Sequence, residues 1–456
     1  MEFSQLGIAP DLLRALEDIG YSVPSPIQEQ AIPPSLEGRD VLGLAQTGTG
    51  KTCAFAIPIL QKLIGEERLP GFPPIRSLIL TPTRELAIQI YDSFCDYAKY
   101  TDIKCALVYG GVSQYPQIEA LGEGIDVLIA TPGRLNDLCG QGYIDLSDIE
   151  IFVLDEADRM LDMGFLPDVQ RIITRMKYAE NKQTLFFSAT MPKDVQKLVD
   201  HLLREDFERV EVTPQSTTVE AIEQSVYLVD RENKKNLLLW VLRDPAIASA
   251  LVFSRTKIGA DRVARDLRRA GIQAEAIHGD KNQMERQKAL NDFKNGKISV
   301  LVATDIAARG IDISELSHVI NYDIPNEPEN YVHRIGRTGR AGMSGIAFSF
   351  CQADEVPYLR AIEKTIGKKI EVEEANPYPM QEEPKEPRGR RGRSGRGGRK
   401  RTQKAQQVQA EPQTAAPAEQ TAEHTSEPSG EQKKKRRRPR RRRKPSGEKP
   451  AQSAEA

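Results

Sequence analysis

No apolar run in this chain of 456 residues is long enough to span a bilayer as a helix. The opening Met1-Glu2-Phe3-Ser4 also lacks the charged-then-apolar pattern of a signal segment. Cysteine is scarce: Cys53, Cys95, Cys105, Cys139 and Cys351 are scattered, odd in number and form no CxxC pair. That excludes a disulfide framework and a structural zinc site, fits a reducing compartment, and leaves each thiol expected as a small apolar core residue. His278 and His333 have no Cys/His cluster around them, so neither is a metal-ligand candidate. The single tryptophan, Trp240, is expected to pack or to lie half-buried on a helix. These absences point to a soluble, intracellular protein, and a cytoplasmic monomer with no membrane partner is expected.

Charge of one sign is missing only on average. The net charge is −1, yet residues 381–456 hold 22 Lys/Arg against 10 Asp/Glu, which leaves the first 380 residues at −13. The same final segment contains no Phe, Trp, Tyr, Leu or Ile. It has nothing to bury against the entropy of ordering, and disorder is expected there. Its Arg/Gly stretch, Arg388–Arg399, and basic block, Lys433–Lys444, call for a polyanion. Read alone, the block would also pass for a nuclear localisation signal.

Short apolar runs alternate with helical patterns, as in parallel sheets covered on both faces. Strands are expected at Val41-Leu44, Leu78-Thr81, Ala106-Tyr109, Val127-Ala130, Ile151-Leu154 and Thr184-Phe187. A second series runs Val226-Val229, Ala250-Phe253, Ala274-Ile277, Ser299-Ala303, His318-Tyr322 and Ile346-Phe350. Two such series predict two α/β domains, with a polar linker around Glu211-Thr218.

Between the first strand and its helix lies Ala45-Gln46-Thr47-Gly48-Thr49-Gly50-Lys51-Thr52, a phosphate-binding loop. Gly48 and Gly50 let backbone N–H groups curl around phosphate oxygens at a helix N-terminus. Lys51 would meet the β/γ-phosphates and Thr52 would offer its hydroxyl to Mg²⁺. Ile151-Leu154 delivers Asp155-Glu156-Ala157-Asp158 to a carboxyl edge, where ligands of open sheets bind. Asp155 would hold Mg²⁺, directly or through water, and Glu156 would orient and deprotonate the attacking water. Together these motifs predict a nucleoside triphosphatase.

With those motifs in place, residues 3–350 resemble a DEAD-box RNA helicase, and the core most resembles the bacterial RhlE-like branch, with its short N-terminus and basic tail. The resemblance implies two tandem RecA-like domains: an adenine-recognition region at 1–30, an ATP-binding domain at 31–210 and a linker at 211–220. A second RecA-like domain at 221–370 and a disordered basic tail at 371–456 complete it. Gly20-Tyr21 through Pro26-Ile27-Gln28 resembles the adenine-reading motif, with Phe3 as the stacking aromatic. A glutamine amide suits the adenine edge and rejects guanine. Pro82-Thr83-Arg84, Gly110-Gly111 and Thr131-Pro132-Gly133-Arg134 resemble RNA contacts of the first domain. Arg255, His278-Gly279 and Gln283 with Arg286 resemble those of the second, with Asn282 where the family has serine. Ser188-Ala189-Thr190 resembles the element coupling ATP to RNA, and Asp158 and His333 are expected to share that role.

By the same resemblance Thr304 and Arg309 face RNA or the interdomain surface, while Gly310 and Asp312 approach the ribose. His333-Arg334-Ile335-Gly336-Arg337-Thr338-Gly339-Arg340 places Arg337 and Arg340 as arginines reaching the γ-phosphate across a cleft. The implied activity is ATP-dependent, non-processive remodelling of short RNA duplexes or RNA–protein complexes, with ATP and Mg²⁺ as cofactors. Ribosomal or RNA-decay assemblies are the implied partners. The alternative is an ATP-dependent RNA clamp without unwinding.

Overall fold

The computed structural model describes residues 2–46, 48–65, 74–176, 182–212, 222–308, 316–339 and 345–382. All of them fall within one compact unit, residues 1–389. It carries two parallel sheets. The first contains β1 (Val41–Leu44), β2 (Ser77–Leu80), β3 (Cys105–Val108), β4 (Val127–Ala130), β5 (Ile151–Leu154), β6 (Gln183–Ser188) and β7 (Glu208–Glu211). Their spatial order is β3-β4-β2-β5-β6-β1-β7. The second contains β8 (Ile222–Leu228), β9 (Ala250–Phe253), β10 (Ala274–Ile277), β11 (Val300–Ala303), β12 (His318–Asn321), β13 (Gly345–Cys351) and β14 (Glu371–Val372), in the order β10-β11-β9-β12-β13-β8-β14.

Continuous apolar strands are possible because each sheet is covered on both sides. Alternate residues divide between two cores: Val41, Ile79, Val153 and Leu185 face one, Leu42, Leu78, Phe152 and Phe186 the other. The second sheet repeats the division, with Leu251, Leu301 and Val319 on one side and Val252, Val302 and Ile320 on the other. β1 pairs with β6 at Gly43↔Phe187. A Cβ on Gly43 would lie 2.5 Å from the Phe187 ring, which itself packs against Phe55 at 5.5 Å between centroids. Glycine is required there for close approach, to let the ring lie on the strand.

Two strands escape a reading by apolar runs. β7 is an edge strand of sequence Glu-Arg-Val-Glu, and β14 is two exposed residues, Glu371-Val372. Their backbone pairing, not their side chains, makes them strands. They also move two boundaries. Glu211 ends β7 and so is not linker, while residues 213–221 lie outside those described. The second domain extends past 370: the Asn376 side chain and Met380 N–H both donate to Leu228 O, at 2.8 and 3.0 Å, and Gln381 and Glu382 N–H donate to the Asp230 carboxylate. The expectation of disorder therefore begins at 383, and 383–456 lie outside the described residues.

The thiols mostly match expectation, since Cys53, Cys139 and Cys351 are buried, but Cys95 is exposed. Among the described residues no group of His, Cys, Asp or Glu is arranged to hold a metal on its own, and no helix is long and apolar enough to cross a membrane. Trp240 packs edge-on against Tyr227 at 6.5 Å and stays partly exposed.

Candidate nucleotide site and nucleic-acid interface

Strand order assembles the first site. β1, β6 and β5 are neighbours, so the loops leaving their carboxyl ends converge: the phosphate loop, Ser188-Ala189-Thr190, and Asp155-Glu156. Gly48 and Gly50 adopt φ of 85° and 92°, which turns the loop into helix Lys51–Leu63. Lys51 is buried, donates to Ala45 O at 3.1 Å and lies 3.8 Å from Asp155 Oδ1. Ala45 N–H in turn donates to Ser188 O at 3.0 Å, locking the loop to β6.

Asp155 is wholly buried, and burial pushes its carboxyl up to about 6; Lys51 opposes the shift and Glu156 adds to it. Two adjacent buried carboxylates beside one lysine form a donor set suited to a divalent cation with phosphates. Glu156 has φ 52°, and among the described residues it is the sole non-glycine in the left-handed region. Such backbone costs on the order of 1–3 kcal/mol and persists where surroundings over-determine it. Here Arg159 Nη1 holds the Glu156 carboxylate at 2.7 Å, an i,i+3 pair the motif reading passes over.

Gln28 is buried with both ends of its amide engaged. Its Oε1 accepts from Ser25 N–H at 2.8 Å, and its Nε2 donates to Gly50 O at 3.1 Å. Ser25 Oγ also donates to Thr49 O at 2.7 Å. The adenine-reading glutamine is therefore part of the phosphate loop's scaffold, keeping one donor and one acceptor position for a base. Phe3 departs from expectation: it is 3% exposed in the core, and the accessible ring of the pair is Tyr21, 6.3 Å away at 24° between planes. Thr47 lies outside the described residues, and Gln46 O accepts the Thr49 hydroxyl at 2.8 Å.

From this site a hydrogen-bond chain leads outward. Asp158 Oδ2 accepts from Thr190 N–H at 2.9 Å and from its hydroxyl at 2.8 Å. Ser188 Oγ accepts Asp158 N–H at 3.3 Å and donates to Thr190 O at 2.8 Å. Asp158, Ser188 and Thr190 thus form one closed unit between β5 and β6.

The second predicted surface lies at the carboxyl ends of β2, β3 and β4. Thr83 caps helix Arg84–Tyr97 by accepting Leu86 N–H at 3.2 Å, so its hydroxyl is already in use, and Pro82 beside it is buried. Thr131 and Pro132 are buried at the start of helix Pro132–Gly140, Gly133 is exposed, and Arg134 Nη2 donates to Val112 O at 2.9 Å. Arg134 Nη1 is buried without a protein partner. Arg84 lies against Gly111, where a Cβ would collide with its guanidinium, with Gly110 alongside. Burial, followed by the Arg286 and Arg134 charges, lowers the Arg84 pKa. Three arginines converge here, and a phosphate would relieve their repulsion.

In the second domain the predicted contacts prove more structural. Arg255 Nη2 donates to Ile324 O at 2.7 Å and pairs with buried Glu355, which also takes Lys234 at 2.7 Å. The His278 ring is buried, 3.0 Å from Asp261, and its Nδ1 accepts Asp280 N–H, so it shapes the Gly279 turn and presents no face to a ligand. Thr304 O accepts Ala307 and Ala308 N–H at 3.0 Å each and starts the short helix Asp305–Ala308. Asn282 caps helix Gln283–Lys294 in a reciprocal box with Glu285, so replacing serine leaves the cap intact.

Gln283 and Arg286 are corrected as well. They reach across to the first domain: Gln283 Nε2 donates to Glu85 Oε1 at 3.0 Å and Arg286 Nη2 lies 2.9 Å from Glu85 Oε2. Arg84 Nη1 completes the bridge to Gln283 at 3.4 Å. Arg337 is buried on helix-end turns, donating to His333 O at 3.3 Å. Arg334, between His333 and Arg337 in the motif, carries no role in the motif reading, yet it is fully buried, pairs with Asp305 at 2.8 Å, and donates to Asp323 O at 2.7 Å. His333, Arg334, Arg337 and Asp305 line one small cavity with Phe253. Arg309, Gly310, Asp312 and Arg340 lie outside the described residues.

Comparison with known proteins agrees with this geometry. Residues 25–198 match the DEAD/DEAH box helicase family and residues 233–342 the helicase conserved C-terminal domain. The chain is 45% identical over 370 residues to the CshA DEAD-box ATP-dependent RNA helicase of Streptococcus pneumoniae, covering 81% of this chain and 69% of that one. It is 42% identical over 369 residues to CshA of Bacillus subtilis, covering 81% and 73%. Among solved structures it resembles Saccharomyces cerevisiae Dbp5 bound to RNA and ADP BeF3, with TM-score 0.71, 32% identity and coverage of 81% and 94%. It also resembles Mss116p bound to single-stranded RNA and AMP-PNP, with TM-score 0.72, 29% identity and coverage of 82% and 78%.

Proposed function

The chain belongs to the DEAD-box ATP-dependent RNA helicases, two RecA-like domains in one chain, and on that premise we propose how its own residues couple ATP to RNA. It is an RNA-dependent ATPase. The observation that carries the coupling is the Glu85–Gln283–Arg286 bridge, which begins one residue from Arg84 on the proposed RNA surface.

Thr52 and Asp155 would hold Mg²⁺, Lys51 would hold the β/γ-phosphates, and the cation would supply charge neutralisation and orientation. Glu156, fixed by Arg159, accepts the proton of the attacking water at its carboxylate. Arg337, carried on the Arg334–Asp305 post, supplies positive charge to the phosphoryl group, and Arg340 shares that role. Tyr21 and Gln28 read the base. Thr47 and Thr49 complete the loop, and Gly310 with Asp312 receives the ribose. Thr190 and Asp158 carry the phosphate state from the first site to the arginines.

Arg84, Arg134 and the Gly110-Gly111 backbone hold RNA phosphates, which makes recognition sequence-independent. Because RNA and ATP each favour the joined domains, each tightens the other by one common factor. Bending one strand at the junction removes a few base-pair steps at about 1.4 kcal/mol each, taking DNA stacking as a guide. Local melting follows, and long unwinding does not. The reading includes a cytoplasmic monomer whose basic tail tethers RNA, acting on ribosomal or decay assemblies. The RhlE-like branch is not supported by the relatives named above, which are CshA-type, and nothing in the chemistry depends on the branch.

Steady-state ATPase with poly-RNA, poly-DNA and neither, alongside displacement of a short RNA duplex, tests this reading. Stimulation by RNA alone and loss of displacement in Glu156→Gln are expected. Equal rates with and without RNA would sink the coupling, and stimulation without displacement would favour a clamp.

A further inference from the structure

Among the described residues, three large apolar side chains stand furthest out of the fold: Ile258 at 83% exposure, Met284 at 82% and Tyr115 at 78%. Single exposed apolar residues are ordinary, but these share one address. Each occupies the first or second position of a helix entered from the carboxyl end of a strand: β9 into Lys257–Arg269, β10 into Gln283–Lys294, β3 into Tyr115–Gly122. The first two helices have inward faces elsewhere, through Val263 and Leu267 and through Leu290 and Phe293. Packing therefore does not account for them.

The three positions border the surface already described. Tyr115 follows Gly110-Gly111, against which Arg84 lies. Arg84 reaches Gln283, the residue before Met284. Lys257, the residue before Ile258, pairs with Asp280 at 2.6 Å, and Lys281 pairs with Asp261 at 2.9 Å, which joins the two second-domain helix starts. Three exposed apolar side chains thus border a line of basic groups, in which Lys257 and Lys281 are paired with aspartates and Arg84 reaches Gln283.

We propose that Tyr115, Met284 and Ile258 contact the bases of unpaired RNA at the margin of the phosphate-holding surface. The inference rests on the RNA reading above and adds base contacts that its phosphate contacts do not provide. A strand held by its phosphates turns its bases away from the basic line, and an unpaired base presents an apolar face. Tyrosine offers a stacking platform, while methionine and isoleucine act as wedges that keep a base step apart. Lys257 and Lys281 are held by Asp280 and Asp261, so it is the adjoining Arg84 and Arg134, close enough to repel each other, that favour a polyanion over an apolar protein surface.

The test uses the full chain. Tyr115→Ser, Ile258→Ser and Met284→Ser are combined, and binding of a labelled single-stranded RNA is compared with that of an abasic strand of equal length. The triple variant should melt at the wild-type temperature and bind nucleotide as before without RNA. Its affinity for normal RNA should fall about tenfold, the scale of removing one base–aromatic stack, with no change for the abasic strand. Tyr115→Phe alone should keep wild-type affinity. Equal affinity of wild type and triple variant for normal RNA overturns the proposal and returns the three side chains to a protein partner. A wild-type chain that binds the abasic strand as tightly as the normal one overturns it too. A wild-type chain that binds no RNA at all sinks the underlying function instead, and this inference with it.

Discussion

Arg286 of the second domain lies 2.9 Å from the buried carboxylate of Glu85 in the first, and Gln283 donates to the other oxygen of the same carboxylate. One side chain thus gathers both domains at a point adjoining Arg84. Glu85→Gln should leave basal ATPase unchanged and lower the RNA-stimulated rate roughly tenfold, the scale of a charge-assisted hydrogen bond. Combined with Arg286→Gln, the loss should be less than the sum of the single losses. Additive effects in that double-mutant cycle would show that the bridge does not couple the domains.

Thr190 spends two donors on Asp158 Oδ2. Thr190→Val removes one of them and keeps the shape. ATPase should stay within about threefold of wild type, while displacement of a short duplex falls about tenfold, one hydrogen bond to a charged group being worth about 1.5–3 kcal/mol. Parallel loss of both activities would place Thr190 in catalysis and not in coupling.

Asp155 carries a carboxyl pushed up to about 6 by burial, with Lys51 working against the shift. The raised value means the folded, ligand-free protein holds a proton on Asp155 below about pH 6, where a free carboxyl would have lost it. A cation must displace that proton, so affinity for magnesium–nucleotide should fall as pH drops through this range. Titrations of a fluorescent nucleotide between pH 5 and 8, in steps of about half a unit, would show it. Asp155→Asn should bind weakly at every pH, and a wild-type affinity flat across the range would contradict the assignment.

Because Gln381 and Glu382 are still bonded to Asp230, truncation belongs after 382 and not earlier. Removing 383–456 should weaken RNA binding, flatten its dependence on salt and spare basal ATPase. Each phosphate no longer neutralised lowers the log–log slope by about 0.7 on a single strand. An unchanged slope in fluorescence anisotropy would remove the tail from RNA tethering.

Gly43 should tolerate no side chain, because a Cβ would press 2.5 Å from the Phe187 ring. Gly43→Ala is expected to cost about 1–3 kcal/mol by overpacking. Thermal unfolding would read this, and an unshifted midpoint would mean the ring moves freely.

Particular residues show where legibility stopped. β1, β4, β5 and β9 follow from apolar runs alone, because a strand buried on both faces writes itself as consecutive apolar residues. β7 and β14 were invisible, since an edge strand is held by its backbone and can carry any side chain. Arg159 had a local signal, three residues past Glu156 on one helix face. Arg334 and Asp305 had none, being 29 residues apart and joined only by the fold.

By itself the sequence determined the chemistry: a lysine and two glycines in a loop, paired carboxylates after a strand, and arginines in the later motif. Those assignments need only residue type and local spacing, which the chain carries directly. The tertiary structure decided which groups are spent and which are available. It put Gln28 into the loop's scaffold, His278 under its turn, Gln283 and Arg286 onto Glu85, and left Tyr115, Ile258 and Met284 outside. Partnership between distant side chains depends on strand order and burial, and no local pattern records either.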